Sequence, residues 1–125
     1  MVRFSERVKD RDKVVSALAQ IESRSTISRL RKGSRLLPHE AASAVNFAAD
    51  ALGRMIEQPI TPAVLNAATI LAERHHLRAL DAVQLGCAVV ARDLLAAPDM
   101  RLIASDKELL EAAAKEGFDI WNPCD

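Results

Sequence analysis

The stretch Arg74-His75-His76-Leu77-Arg78-Ala79-Leu80-Asp81-Ala82-Val83-Gln84-Leu85 decides how the rest of the chain is interpreted. It places one carboxylate, Asp81, in the first turn of a predicted helix that continues as the apolar run 85–91. A helix that is apolar on all sides is usually buried, and an isolated ionised carboxylate is costly in a dry interior. Asp81 therefore needs a partner, which a metal ion could supply. The alternative is an acid that complements the positive end of the helix dipole.

Length and charge limit the class of protein. The chain has 125 residues, of which 50% are hydrophobic, so we expect one domain over residues 1–125 with a sizeable core. The 17 basic residues balance the 17 acidic ones, so any contact with a polyanion must come from a local patch. No leader and no apolar run of membrane-spanning length is visible. Two isolated cysteines fit a reducing compartment. We expect a soluble cytoplasmic protein without membrane contact.

The order of the predicted elements indicates an α/β fold. Strands are expected at 13–16, 100–104 and 118–121, with an extended link at 58–60; helices are expected at 17–32, 38–56, 61–75, 79–97 and 105–117. Strands that alternate with helices favour a parallel sheet, and because helix dominates, this sheet must be small. Ser105 and Glu108 match a capping box at the start of the last helix. Trp121 is expected in the core.

Three acids stand where a polar group could serve a buried site. Glu22 lies at the apolar edge of its helix, Asp81 begins the apolar helix, and Asp106 follows the strand that ends at Ala104. Ligands of open α/β sheets bind beyond the carboxyl ends of strands, and Mg²⁺ prefers oxygen ligands. Each acid also has an ordinary alternative: a solvated glutamate, a dipole-complementing aspartate, or an acid beside a helix cap.

Together these segments resemble a known family. The blocks 77–85 and 104–113, followed by Glu116-Gly117 and Asn122-Pro123, resemble the C-terminal half of a PIN domain of the VapC toxin type. The block 16–25 resembles the family's first long helix. The resemblance implies a three-layer fold, with a small parallel sheet flanked by helices, and a Mg²⁺- or Mn²⁺-dependent endoribonuclease. It places Glu22, Asp81 and Asp106 at three of the four usual acidic metal-binding and catalytic positions, with Ser105 supporting the site. It also implies an RNA substrate, a homodimer and an antitoxin partner.

The sequence departs from the family at its N-terminus. The family begins with a hydrophobic strand that ends in a metal-binding aspartate, and nothing before Lys13 matches this unit. We expect the strand-helix unit to be missing, through a lost N-terminus, and the metal site to lack one carboxylate, which makes activity doubtful. Two alternatives to an active nuclease remain: a non-catalytic remnant that binds an antitoxin or self-associates, and a mostly helical interaction module with scattered surface acids.

One basic patch could contact RNA. Between Ser23 and His39 the charged residues before Glu40 are all basic: Arg24, Arg29, Arg31, Lys32 and Arg35. Such contacts would give salt-dependent affinity that does not depend on base sequence. The alternative is an ordinary solvated helix end, where basic residues suit the dipole.

Overall fold

The computed structural model describes residues 2–3 and 13–124 of the chain, and in these it contains five helices and five short strands. In chain order the elements are β1 (Val2–Arg3), β2 (Val14–Ser16), α1 (Ala19–Lys32), α2 (Pro38–Gly53), β3 (Ile56–Gln58), α3 (Pro62–His75), α4 (Ala79–Leu94), β4 (Met100–Ile103), α5 (Lys107–Lys115) and β5 (Asp119–Trp121). The expected α/β class, dominated by helix, is confirmed.

Helix α4 runs through the core, as its apolar sequence predicts. Its buried residues include Leu85, Cys87 and Ala88, each fully shielded from solvent. Its main neighbour is α3, and the two helices approach closely at Gly86. A Cβ added there would lie 2.9 Å from the Val64 carbonyl oxygen and 3.1 Å from the Ala68 nitrogen. The absence of a side chain at this position therefore fixes how near the two helices lie.

The strands form two small sheets. In one, β2 pairs in parallel with β3; in the other, β4 pairs in parallel with β5 and antiparallel with β1. The sequence predicts β2, β4 and β5 but assigns no strand before Lys13, and it extends the second helix to Ile56. Both of these predictions were wrong. Val2–Arg3 form β1, α2 ends at Gly53, and residues 56–58 form β3.

The helix starts follow side-chain chemistry. The Thr61 hydroxyl accepts a hydrogen bond from the Val64 amide at 3.2 Å, with proline next in sequence, as predicted. At α5 the prediction was wrong by one residue. Asp106, and not Ser105, caps the helix, because its Oδ1 accepts from the Leu109 amide at 3.0 Å.

Two parts of the structure are largely exposed to solvent: the helix pair α1–α2 and the strand β5. Helices α1 and α2 pack against each other, yet within their described residues only Ala41 is buried. Trp121, expected in the core, is 49% exposed on β5. The reason is that β5 is an edge strand whose three residues all face solvent.

A polar cluster joins the ends of α3 and α5 through Glu116. Arg74 donates from Nη1 to both carboxylate oxygens, at 2.9 and 2.8 Å, and Nε2 of His75 lies 2.6 Å from Oε2. Arg92 donates to the Glu116 backbone carbonyl at 2.7 Å and stacks on the ring of Phe118. Burial raises the pKa of Glu116, but the hydrogen bonds from Arg74 and His75 outweigh it and hold this pKa below its usual value.

The close approach at Gly86 predicts the effect of adding a methyl group. Gly86→Ala should destabilise the protein by about 1–2 kcal/mol, because overpacking against backbone atoms outweighs the gain in helix propensity. Gly53→Ala is the matched control, since a Cβ there meets nothing within 4 Å, and it should leave stability unchanged or raise it. Urea denaturation of both variants measures this. A Gly86→Ala protein as stable as the parent would contradict the packing argument.

The Glu116 cluster predicts a loss of stability in acid. A lowered folded pKa contributes stability that is fully present above the usual value of 4.5 and is lost as the pH falls through the folded pKa. Glu116→Gln should lower stability at pH 7 by about 1 kcal/mol and flatten the stability profile below pH ~4.5. Glu111→Gln, exposed on α5, is the control and should keep the parent profile. Thermal melts from pH 3 to 7 make the comparison, and parallel profiles for parent and Glu116→Gln would refute it.

Candidate functional site

A cleft with a volume of about 480 Å³ lies where α1, α4 and α5 meet β2 and β4. Four of the residues singled out in the sequence, Glu22, Asp81, Ser105 and Asp106, line it. The other lining residues are Val15, Ser16, Ala19, Gln84, Leu102, Ile103, Ala104 and Leu109. The structure thus brings together three acids that are 59 and 25 positions apart in the chain.

The three acids share one kind of position. Glu22 and Asp81 each stand in the first turn of a helix, and Asp106 caps a third. The first and the last of these helices follow β2 and β4 directly, so the carboxyl ends of both strands open into the cleft. This is the edge of an α/β structure at which ligands commonly bind.

Glu22 is held by a residue that the sequence analysis did not single out. Nε2 of Gln84 donates to both Glu22 carboxylate oxygens, at 2.8 and 2.9 Å. This bond joins α1 to α4 and fixes the direction of the Glu22 side chain. A signal was present in the sequence, because Gln84 follows Asp81 by three positions and so lies on the same face of the helix.

Asp81 carries an unfavourable charge. Its pKa is raised above the usual value of 3.8, first by partial burial and then by the negative charge of Asp106. Glu108 and Glu22 raise the pKa further, and Arg78 opposes them without cancelling the effect. At neutral pH, Asp81 therefore keeps a negative charge that both its partial burial and the charge of Asp106 disfavour.

The described residues fit a divalent cation only in part. Across residues 13–124, no three His, Cys, Asp or Glu side chains converge closely enough to form a metal-binding group. Mg²⁺ commonly uses one or two carboxylates and completes its shell with water. The oxygen chemistry of Asp81 and Asp106, and the charge deficit at Asp81, fit such a hydrated ion; they do not form a closed cage.

The basic patch lies outside the cleft. Arg24, Arg29, Arg31 and Lys32 are all exposed on α1, and Arg24 and Arg31 border the groove between α1 and α2. Helix α1 connects the two features, since Glu22 and Arg29 are seven residues apart, or about 10 Å along the axis.

Comparison with known proteins adds no family to this geometry. No family model, curated protein or solved structure matches the chain. In the part of the chain that the structure describes, no helix is long and apolar enough to cross a membrane.

The raised pKa of Asp81 predicts that the Asp81→Asn protein is more stable than the parent at neutral pH. A carboxyl whose folded pKa is raised destabilises the fold at neutral pH, and this penalty disappears as the pH falls toward 3.8. Asp81→Asn should therefore raise the Tm at pH 7 by about 1–4 °C, and the gain should shrink in acid. The exposed Asp99→Asn is the control and should melt like the parent. A lower Tm for Asp81→Asn at pH 7 would show that the carboxylate stabilises the fold.

Proposed function

We propose that the protein is a metal-dependent endoribonuclease that resembles the PIN domains of VapC toxins. The observation that carries the proposal is the meeting of Glu22, Asp81 and Asp106 in one cleft at the carboxyl ends of two strands. The PIN-like fold, the antitoxin partner and the homodimer belong to the same proposal.

The chain's own residues would perform distinct tasks. Asp81 and Asp106 would hold a hydrated Mg²⁺ or Mn²⁺, because partial burial and the negative charge of Asp106 raise the pKa of Asp81, and a divalent cation would relieve this repulsion. Glu22, fixed by Gln84, would accept a proton or a hydrogen bond from water at the cleft wall. Ser105 would add a hydroxyl beside the pair. A bound divalent ion supplies activated water and neutralises phosphate charge in this chemistry.

The RNA would reach the cleft along α1. The exposed basic residues Arg24, Arg29, Arg31 and Lys32 can contact phosphates without reading bases. Their position beyond Glu22 on one helix would direct a bound strand toward the carboxylates. A formal net charge of zero means that this local patch must supply the attraction.

A second candidate function is an interaction module without catalysis. Two observations favour it: among the described residues no three acids converge on one point, and both oxygens of Glu22 are occupied by Gln84. In this case the protein would bind an antitoxin or itself through the same cleft and helices, and would have no need of a metal.

Cleavage and metal binding decide between the two functions. A nuclease should cut a mixed-sequence single-stranded RNA with Mg²⁺ or Mn²⁺ and stop in EDTA. Asp81→Asn should lower the rate by about 100-fold or more, because it removes charge that organises the reacting groups. Titration with Mn²⁺ in a calorimeter, which does not depend on the choice of RNA, should give heat for the parent and little for Asp81→Asn.

Asp99→Asn is the control for both measurements, since it removes an exposed carboxylate outside the cleft. It should bind Mn²⁺ and cleave like the parent. The nuclease proposal fails if Asp81→Asn binds Mn²⁺ or cleaves RNA as well as Asp99→Asn does. Absence of both heat and cleavage in the parent would favour the interaction module.

A further inference from the structure

One side-chain contact controls how much of the cleft's negative charge a cation can reach. Nε2 of Gln84 lies 2.8 Å from Oε1 and 2.9 Å from Oε2 of Glu22. The amide nitrogen is almost equidistant from the two oxygens, so it fills the place where a cation that used both oxygens would sit. A primary amide donates hydrogen bonds but carries no charge. It therefore occupies this place without neutralising the carboxylate.

The three acids of the cleft divide into a pair and a single carboxylate. Among the charges that raise the pKa of Asp81, that of Asp106 ranks first and that of Glu22 ranks last. All three acids line one cleft, yet within residues 2–3 and 13–124 no three His, Cys, Asp or Glu side chains form a metal-binding group. Asp81 and Asp106 thus form the pair, and Glu22 is held by Gln84.

The position of Gln84 suits it to keep Glu22 apart from the pair. It follows Asp81 by three positions on α4, so both side chains leave the same face of the helix, and both line the cleft. We propose that Gln84 is a positioning residue that withholds Glu22 from the coordination shell of the cation, so that the site uses two carboxylates and Glu22 remains available to water. This inference rests on the metal site proposed above.

Removal of the Gln84 amide separates this role from that of a structural brace. If Gln84 only joined α1 to α4, its loss would loosen the cleft and weaken cation binding. A residue that withholds a carboxylate has the reverse effect, because affinity for a hard divalent cation depends on the number of charged oxygen ligands. Gln84→Met keeps a side chain of similar length without the two donors. It should bind Mn²⁺ about tenfold more tightly than the parent, or better.

Calorimetric titration with Mn²⁺ compares the parent with Gln84→Met, Glu22→Ala and the double variant. The gain in affinity should be absent when the double variant is compared with Glu22→Ala, since the carboxylate that Gln84→Met releases is then missing. Gln20→Met is the matched control, because Gln20 lies on α1 but does not line the cleft, and it should bind like the parent. Gln84→Ala also lacks the amide and should change the affinity in the same direction as Gln84→Met.

Urea denaturation without metal tests the hydrogen bond by itself. Gln84→Met and Glu22→Ala each remove the same contact, so their effects on the folding equilibrium constant should be non-additive, by about threefold or more. Additive effects would overturn the inference, and this measurement does not depend on whether the protein binds a metal.

The titrations also distinguish failure of this inference from failure of the metal site. If Gln84→Met binds Mn²⁺ no more tightly than the parent does, or if the gain persists without Glu22, the inference is overturned and the metal site is unaffected. If Gln84→Met binds Mn²⁺ and the parent does not, the inference is supported and the parent is not a metal-dependent nuclease. If neither protein binds Mn²⁺, both are overturned.

Discussion

The close packing of α3 against α4 at Gly86 is the constraint on which the rest of the structure depends. The approach permits no side chain, because a Cβ would meet the Val64 carbonyl at 2.9 Å. It holds α4 in the middle of the core, where Leu85 and Ala88 are shielded from solvent. Because the helix is fixed at this point, its first turn must emerge at the cleft, and the position of Asp81 follows from packing more than one full turn away.

Charge is distributed in opposite ways at the two ends of α4. Near its last turn, Arg92 bonds to the Glu116 backbone, and the Glu116 carboxylate has cationic partners that lower its pKa. Near its first turn, Asp81 faces other carboxylates and its pKa is raised. The first arrangement stabilises the fold at neutral pH, whereas the second destabilises it.

Sequence predicted the features that depend on local chemistry. The apolar run 85–91 predicted the buried α4, and the Thr61-Pro62 pair predicted the start of α3, since each signal lies within one turn. Prediction from the sequence failed where a strand pairs with a distant segment, and where two neighbouring residues compete to cap a helix. Strand β3 is three residues whose pairing with β2 spans about 40 positions, with no alternation to reveal it. Ser105 and Asp106 are both good caps, and only the path of the chain after β4 selects the second.

The cleft is harder to infer from the sequence, because its walls come from strands and helices that are distant in the chain. Individual strands were predictable at β2 and β4, but their membership of different sheets is a tertiary property. The same separation brings Ser16 and Ala104 to the walls of one space, with Glu22 and Asp106 just beyond them. The charges that act on Asp81 come from residues of three helices, so the electrostatics of the acidic site also depend on tertiary structure and cannot be deduced from one segment of the sequence.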